Sequence, residues 1–167
     1  MNAPAITVPT ANPGAGYLAL KAEIDEAVQR ALASGWYILG NEGKAFEQEF
    51  AAWLGAERAI GCANGTDALA LALRSLDIGP GCSVVTVSHT AVATVAAIEL
   101  VGAAPVFVDI EPDWYTLDPA RLEAAIGPRT RAIVPVHLYG QTADLAPILD
   151  IARRHGLRDG DGGGVHL

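Results

Sequence analysis

Apolar residues recur at helical spacing over residues 17–34, where Leu20, Ile24, Val28, Ala31 and Leu32 share a face that stops near Ser34-Gly35. A second amphipathic run follows in 42–54, with Phe46, Phe50, Trp53 and Leu54 on one stripe. Between the two lies Gly35-Trp36-Tyr37-Ile38-Leu39-Gly40, an aromatic loop fenced by glycines. Beyond residue 58 the pattern changes to short, unbroken apolar runs. These are Ala59-Ile60-Gly61-Cys62-Ala63, Val84-Val85-Thr86-Val87, Val106-Phe107-Val108 and Ala132-Ile133-Val134-Pro135-Val136. Such runs predict strands buried on both faces, as in a parallel sheet covered by helices. The intervening segments predict helices over 66–77, about 91–102, 119–126 and 144–155. Asp118-Pro119 supplies a cap and a first-turn proline, Asp144 is expected to cap the last helix, and Gly156 to end it.

Strands alternating with helices define an α/β fold with a doubly wound, mostly parallel sheet. Three segments are expected: 1–40 as an N-terminal helix and aromatic loop, 41–157 as a partial α/β domain, and 158–167 as a disordered tail. The tail expectation follows from Asp159-Gly160-Asp161-Gly162-Gly163-Gly164, which cannot form a central strand.

Composition narrows the picture. Eleven Lys and Arg against nineteen Asp and Glu give a net charge of -8, which disfavours a nucleic-acid partner. Hydrophobic residues make up 51% and mean hydropathy is +0.28, enough for a packed core. Ala91 to Val108 is apolar enough to raise the question of a membrane. Glu99, Gly102 and Pro105 interrupt it, so a short helix followed by a buried strand is expected and no membrane association. Cys62 and Cys82 form no CxxC pair; the expectation is two reduced core thiols in a cytoplasmic protein, with no metal site.

In an open parallel sheet, ligands bind at the carboxyl ends of the strands. Those ends carry Asn64-Gly65-Thr66-Asp67, Ser88-His89-Thr90, Asp109 and His137-Leu138-Tyr139-Gly140-Gln141. At the first, Gly65 permits a sharp turn and Thr66-Asp67 open a helix whose free N–H groups can hold an anion, with the Thr66 hydroxyl as a further donor. A plain helix cap explains the same tetrapeptide. No GxGxxG follows the strand, so a dinucleotide fingerprint is absent. His89 can stack on or bond to a flat ligand, or simply satisfy the loop. Trp36 and Tyr37 fit either a staple over the first helix or a pocket wall.

Taken in order, Gly35-Trp36-Tyr37-Ile38-Leu39-Gly40, Ala63-Asn64-Gly65-Thr66-Asp67-Ala68-Leu69, Ile78-Gly79-Pro80-Gly81, Pro105-Val106-Phe107-Val108-Asp109-Ile110 and His137-Leu138-Tyr139-Gly140-Gln141 closely resemble the DegT/DnrJ/StrS aminotransferases. Five motifs in sequence are far more specific than any one. The resemblance implies part of the large domain of a fold type I enzyme that uses pyridoxal 5'-phosphate. It implies amino transfer, usually from glutamate, to a nucleotide-linked keto-sugar in amino-sugar biosynthesis, by a homodimer. By the same resemblance Gly65, Thr66 and Asp67 hold the cofactor phosphate, and substrate contacts are expected at Trp36, Tyr37, His137 and Tyr139.

Two positions depart from the family. An aromatic residue that stacks on the pyridine ring is replaced by Ala91, and His89 is the expected substitute. The Schiff-base lysine and the aspartate facing the pyridine nitrogen have no counterpart, since Lys21 and Lys44 both precede the first expected strand. The resemblance covers roughly the N-terminal half of such an enzyme. Taken alone, these residues are expected to be catalytically incomplete and prone to self-association through an uncovered sheet edge. Two other readings stay open. One is a non-catalytic module that binds phosphate or nucleotide-sugar, or a regulatory module. The other is a different α/β enzyme built on His137 and Tyr139.

Overall fold

The computed structural model describes residues 9–157. The chain divides into two compact units at Gly61/Cys62. The first unit carries three helices among its described residues, α1 (Pro13–Ala19), α2 (Lys21–Ser34) and α3 (Asn41–Leu54). The second carries α4 (Gly65–Ser75), β1 (Ser83–Val87), α5 (Val92–Leu100), β2 (Ala104–Val108), α6 (Pro119–Ala125), β3 (Thr130–Ile133) and α7 (Leu145–Arg154). The expected tail lies outside the described residues.

The first unit corrects the single helix expected over 17–34. The Asn12 side chain accepts the Ala15 N–H and Pro13 occupies the first turn, so a helix starts earlier than the apolar spacing suggests. It breaks at Leu20, and α2 begins afresh. On α3 the predicted stripe is a ladder of rings, Phe46 on Phe50 at 5.4 Å and Phe50 near Trp53 at 5.8 Å. Residues 59–63, expected as a buried strand, are in no strand, and Ile60 is 84% exposed. They make no ladder pairing among the described residues. The Gly61 N–H instead donates to the Glu47 carboxylate at 2.6 Å. Cys62 is exposed, correcting its expected place in the core, while Cys82 is half-buried.

In the second unit the three strands are parallel, in the order β2-β1-β3. The chain steps from β1 to β2 on one side, then crosses back over β1 to reach β3. Right-handed crossovers taken in opposite directions put α5 and α6 on opposite faces, which is the expected doubly wound arrangement. Two apolar clusters result. Leu73 of α4 and Ala97 and Ile98 of α5 pack with Val84, Ala132 and Val134. Leu122 of α6 and Ile148 and Ile151 of α7 pack with Val85, Val87, Val108 and Ile133. Successive residues of β1 and β3 alternate between the clusters, as the pleat requires. All five residues of β1 are buried.

The outer strands depart from the unbroken burial expected of them. Phe107 on β2 is 50% exposed, because β2 borders the described sheet. Pro105 lies in β2 in register with Val84, and the Ala104 N–H donates to the Cys82 carbonyl at 3.0 Å. β3 ends before Pro135, whose missing N–H cannot extend a ladder. The last links there are the Val134 N–H to the Val85 carbonyl (2.8 Å) and the Thr86 hydroxyl to the Val134 carbonyl (2.9 Å). The stretch 91–108 is a short helix followed by a strand, as expected. No described helix is long and apolar enough to cross a membrane.

Caps are as expected at Asp118, which accepts the Ala120 N–H at 2.9 Å, and at Gly156, with φ at 64°. Asp144 occupies the cap position of α7, but its side chain makes no capping bond, which corrects the expected role. At the other end of α7, His155 and Arg154 both bond to Glu123 of α6, at 2.9 and 2.6 Å. The His155 bond, then Arg154, hold the Glu123 carboxyl below its ordinary value of 4.5. A depressed folded value means that this contact stabilises above the unfolded value and is lost as pH falls through the folded one. Urea unfolding of the wild type and Glu123→Gln should therefore differ at neutral pH and converge as acidification passes the depressed folded value.

Candidate functional site

The sequence Asn64-Gly65-Thr66-Asp67 opens α4 with a reciprocal clamp. The Asp67 N–H donates to Asn64 Oδ1 at 2.9 Å, and Asn64 Nδ2 donates to Asp67 Oδ2 at 3.0 Å. Asn64 is thus the cap, and both the N–H and the carboxylate of Asp67 are engaged with it. The Gly65 and Thr66 N–H groups head the helix with no earlier turn to receive them. With the Thr66 hydroxyl they form a set of three donors at the positive end of an eleven-residue helix. A Cβ built on Gly65 meets nothing within 4 Å, so the space beside these donors is open.

The direction of α4 follows from its packing. Leu73, near its end, shares a cluster with Val84 at the start of β1. The opening of the helix therefore lies toward the carboxyl end of the sheet, where His89 follows β1. His89 is exposed, and its ring centroid lies 6.1 Å from that of Tyr139 and 6.2 Å from that of Tyr115. Beside it the Thr90 and Thr94 hydroxyls share a 2.8 Å hydrogen bond that closes the start of α5.

His137 plays a different part from His89. Its Nδ1 accepts the Ala143 N–H at 3.0 Å, which places the proton of the neutral ring on Nε2 and ties off the loop between them. Within that loop Leu138–Gly140 form a tight turn, and Tyr139 stands 83% exposed. Asp109 accepts the Ile110 N–H through Oδ1 at 3.0 Å, and its carbonyl accepts the Asp118 N–H at 3.2 Å. It fastens the end of β2 to the start of α6, which answers its ambiguous standing in the sequence with a structural task.

Trp36 and Tyr37 belong to the first unit. The Lys44 ammonium lies 5.1 Å from the Trp36 ring centroid, and the Tyr37 hydroxyl donates to the Leu32 carbonyl at 3.2 Å. The structure thus joins Gly65, Thr66 and Asp67 in one turn, and His89 with Tyr139 in one cluster. Tyr115 was not apparent in the sequence as a member of that cluster. Pro112-Asp113 is a turn-forming pair, but nothing local signals where the tyrosine ring goes.

The donor set suits a phosphate monoester: two N–H groups and a hydroxyl at a helix opening, with one Asp67 carboxylate oxygen taken up by Asn64. An imidazole on the same side of the sheet suits a flat ring. Both halves of a ring-bearing phosphate therefore find matching chemistry.

A model of the DegT/DnrJ/EryC1/StrS aminotransferase family matches residues 19–158. The dTDP-3-amino-3,4,6-trideoxy-alpha-D-glucose transaminase of Streptomyces venezuelae is 50% identical over 150 residues, which is 90% of this chain and 40% of that protein. The crystal structure of S. venezuelae DesV superposes with a TM-score of 0.87 at 50% identity, covering 90% of this chain and 41% of the other. NtdA from Bacillus subtilis, solved with bound cofactor PMP, superposes with a TM-score of 0.79 at 34% identity, covering 82% and 32%. The chain spans about two-fifths of the length of the curated relatives it matches.

Proposed function

The chain belongs to the DegT/DnrJ/EryC1/StrS aminotransferase family, and on that premise we propose that its second unit holds the phosphate of pyridoxal 5'-phosphate at the opening of α4. The single observation that carries this reading is the three-donor set of Gly65 N–H, Thr66 N–H and Thr66 hydroxyl, held open by the Asn64–Asp67 clamp. Asp67 serves by fixing Asn64, and so the pitch of the first turn. His89 lies against the cofactor ring in place of the residue at Ala91. When bound, the cofactor supplies the electron sink that lets an amino group pass between carbon skeletons.

The activity of the whole protein is proposed as amino transfer to a nucleotide-linked keto-sugar, a reading supported by the dTDP-sugar transaminase among its relatives. Glutamate as donor and a homodimer as the assembly are carried over from the family resemblance. Trp36, Tyr37, His137 and Tyr139 are proposed to face the substrate, with Nε2 of His137 as the free hydrogen-bonding atom of that ring.

The phosphate reading is tested by calorimetry with pyridoxal 5'-phosphate, using inorganic phosphate as competitor. Thr66→Val should weaken binding about tenfold, through loss of one charge-assisted hydrogen bond. Gly65→Ala is the sharper variant. Its methyl group meets no protein atom within 4 Å, so stability should stay within about 0.5 kcal/mol of the parent. The added methyl narrows the open space beside the Gly65 and Thr66 donors, so binding should fall. Wild-type affinity in both variants would end the proposal.

The two lysines make a separate prediction. The Lys21 ammonium is hydrogen-bonded to the Asp25 carboxylate, which raises its pKa. Lys44 is turned over the Trp36 ring. Borohydride reduction of the 167-residue chain with pyridoxal 5'-phosphate should trap neither lysine in preference, as read by mass spectrometry of the peptides. Stable labelling of one lysine, with turnover, would show that these residues are catalytically complete.

A further inference from the structure

His89 lies near two tyrosine rings whose residues share an unusual backbone. Tyr115 has φ at 60° and Tyr139 at 56°, two of four non-glycine residues in the left-handed region among those described. Ring-bearing residues avoid that region, and they persist there only where the surroundings hold them. At Tyr115 the holding is visible. The Glu111 carboxylate accepts the N–H groups of Asp113 (3.1 Å) and Trp114 (2.5 Å), and the Glu111 carbonyl accepts that of Tyr115 (3.1 Å). The Glu111 N–H then donates to the Thr116 carbonyl at 3.0 Å, closing the turn. At Tyr139 the Gln141 N–H reaches back to the Leu138 carbonyl at 2.9 Å, within the loop tied off by His137 and Ala143.

Two separately braced turns thus deliver two rings to one imidazole, Tyr139 edge-on at 72° and Tyr115 tilted at 46°. Neither tyrosine is needed to fill a core, since both are exposed. We infer that Tyr115 and Tyr139 are positioning residues that fix the plane of the His89 imidazole, so that a planar ligand ring meets it already oriented. An exposed histidine turns about two side-chain bonds, and stacking on a free one would cost ordering at the moment of binding. Flanking rings remove that cost beforehand. The inference rests on the reading that His89 contacts the cofactor ring.

The test uses the full chain, with pyridoxal 5'-phosphate and inorganic phosphate as separate probes. Tyr115→Leu and Tyr139→Leu should each move the His89 ring-proton resonances and weaken pyridoxal 5'-phosphate binding about two- to tenfold. Inorganic phosphate, which has no ring, should bind as before. Tyr115→Phe and Tyr139→Phe should restore both signals and affinity. Tyr115→Gly removes the ring while relieving the left-handed backbone, so a weakened but well-folded chain would separate positioning from stability. Unmoved His89 resonances, or unweakened binding in the leucine variants while His89→Ala is weakened, would overturn the positioning role alone. Wild-type affinity in His89→Ala would instead overturn the contact between His89 and the ring, and the inference with it.

Discussion

Leu73→Ala should destabilise the second unit by about 2–5 kcal/mol, a large part of the stability of an ordinary domain. Leu73 is 1% exposed and joins α4 to Ile98 of α5 and Val84 of β1. The substitution leaves a cavity at the seam that seats α4 on the sheet, so affinity for phosphate should fall along with stability. Leu71, on the same helix and 53% exposed, is the control. Leu71→Ala should change stability by no more than about 0.5 kcal/mol. Chemical denaturation of both variants, with phosphate titration of each, checks the pair.

The second large effect belongs to the first unit. Gly40→Ala would place a methyl carbon 2.5 Å from the Trp36 carbonyl oxygen, a backbone atom with no side-chain freedom to give way. The φ of Gly40 is an ordinary -81°, so the need for glycine is one of space and not of handedness. We expect a loss of about 1–3 kcal/mol as the loop opens. The Trp36 indole should move away from Lys44. In an amide spectrum the Trp36 indole N–H should shift, while that of Trp114, in the second unit, stays in place. The aromatic loop was legible as glycine-fenced, but its closing glycine answers to a backbone approach from Trp36 that no local pattern records.

The buried β1 and its helices were legible because their residues face apolar neighbours on both sides, and continuous or 3.6-residue patterns record that directly. The same rule failed where burial is incomplete. The run from Ala59 to Ala63 is as apolar as a strand, yet pairing is a property of neighbours, and Gly61 finds a glutamate carboxylate instead. β3 begins at Thr130, two residues before the apolar run, and stops at Ile133, three residues short of its end. The buried hydroxyl of Thr130, 3.3 Å from that of Ser83, brings a polar residue inside the sheet that a hydropathy pattern skips. At the candidate site the anion-facing turn was legible from helix-capping chemistry. The His89 cluster was not, because the two tyrosines come from distant turns and meet only in space.

Pro105 gives the sheet a further property. The Ala104 N–H points inward to Cys82, so by the alternation of a parallel strand the next amide position points outward, and there proline has no hydrogen to offer. The outer margin of β2 in the described sheet therefore presents a broken row of donors to an approaching polypeptide. Another copy trying to zip alongside would find its carbonyl unanswered midway, which protects this margin against the runaway stacking that begins amyloid.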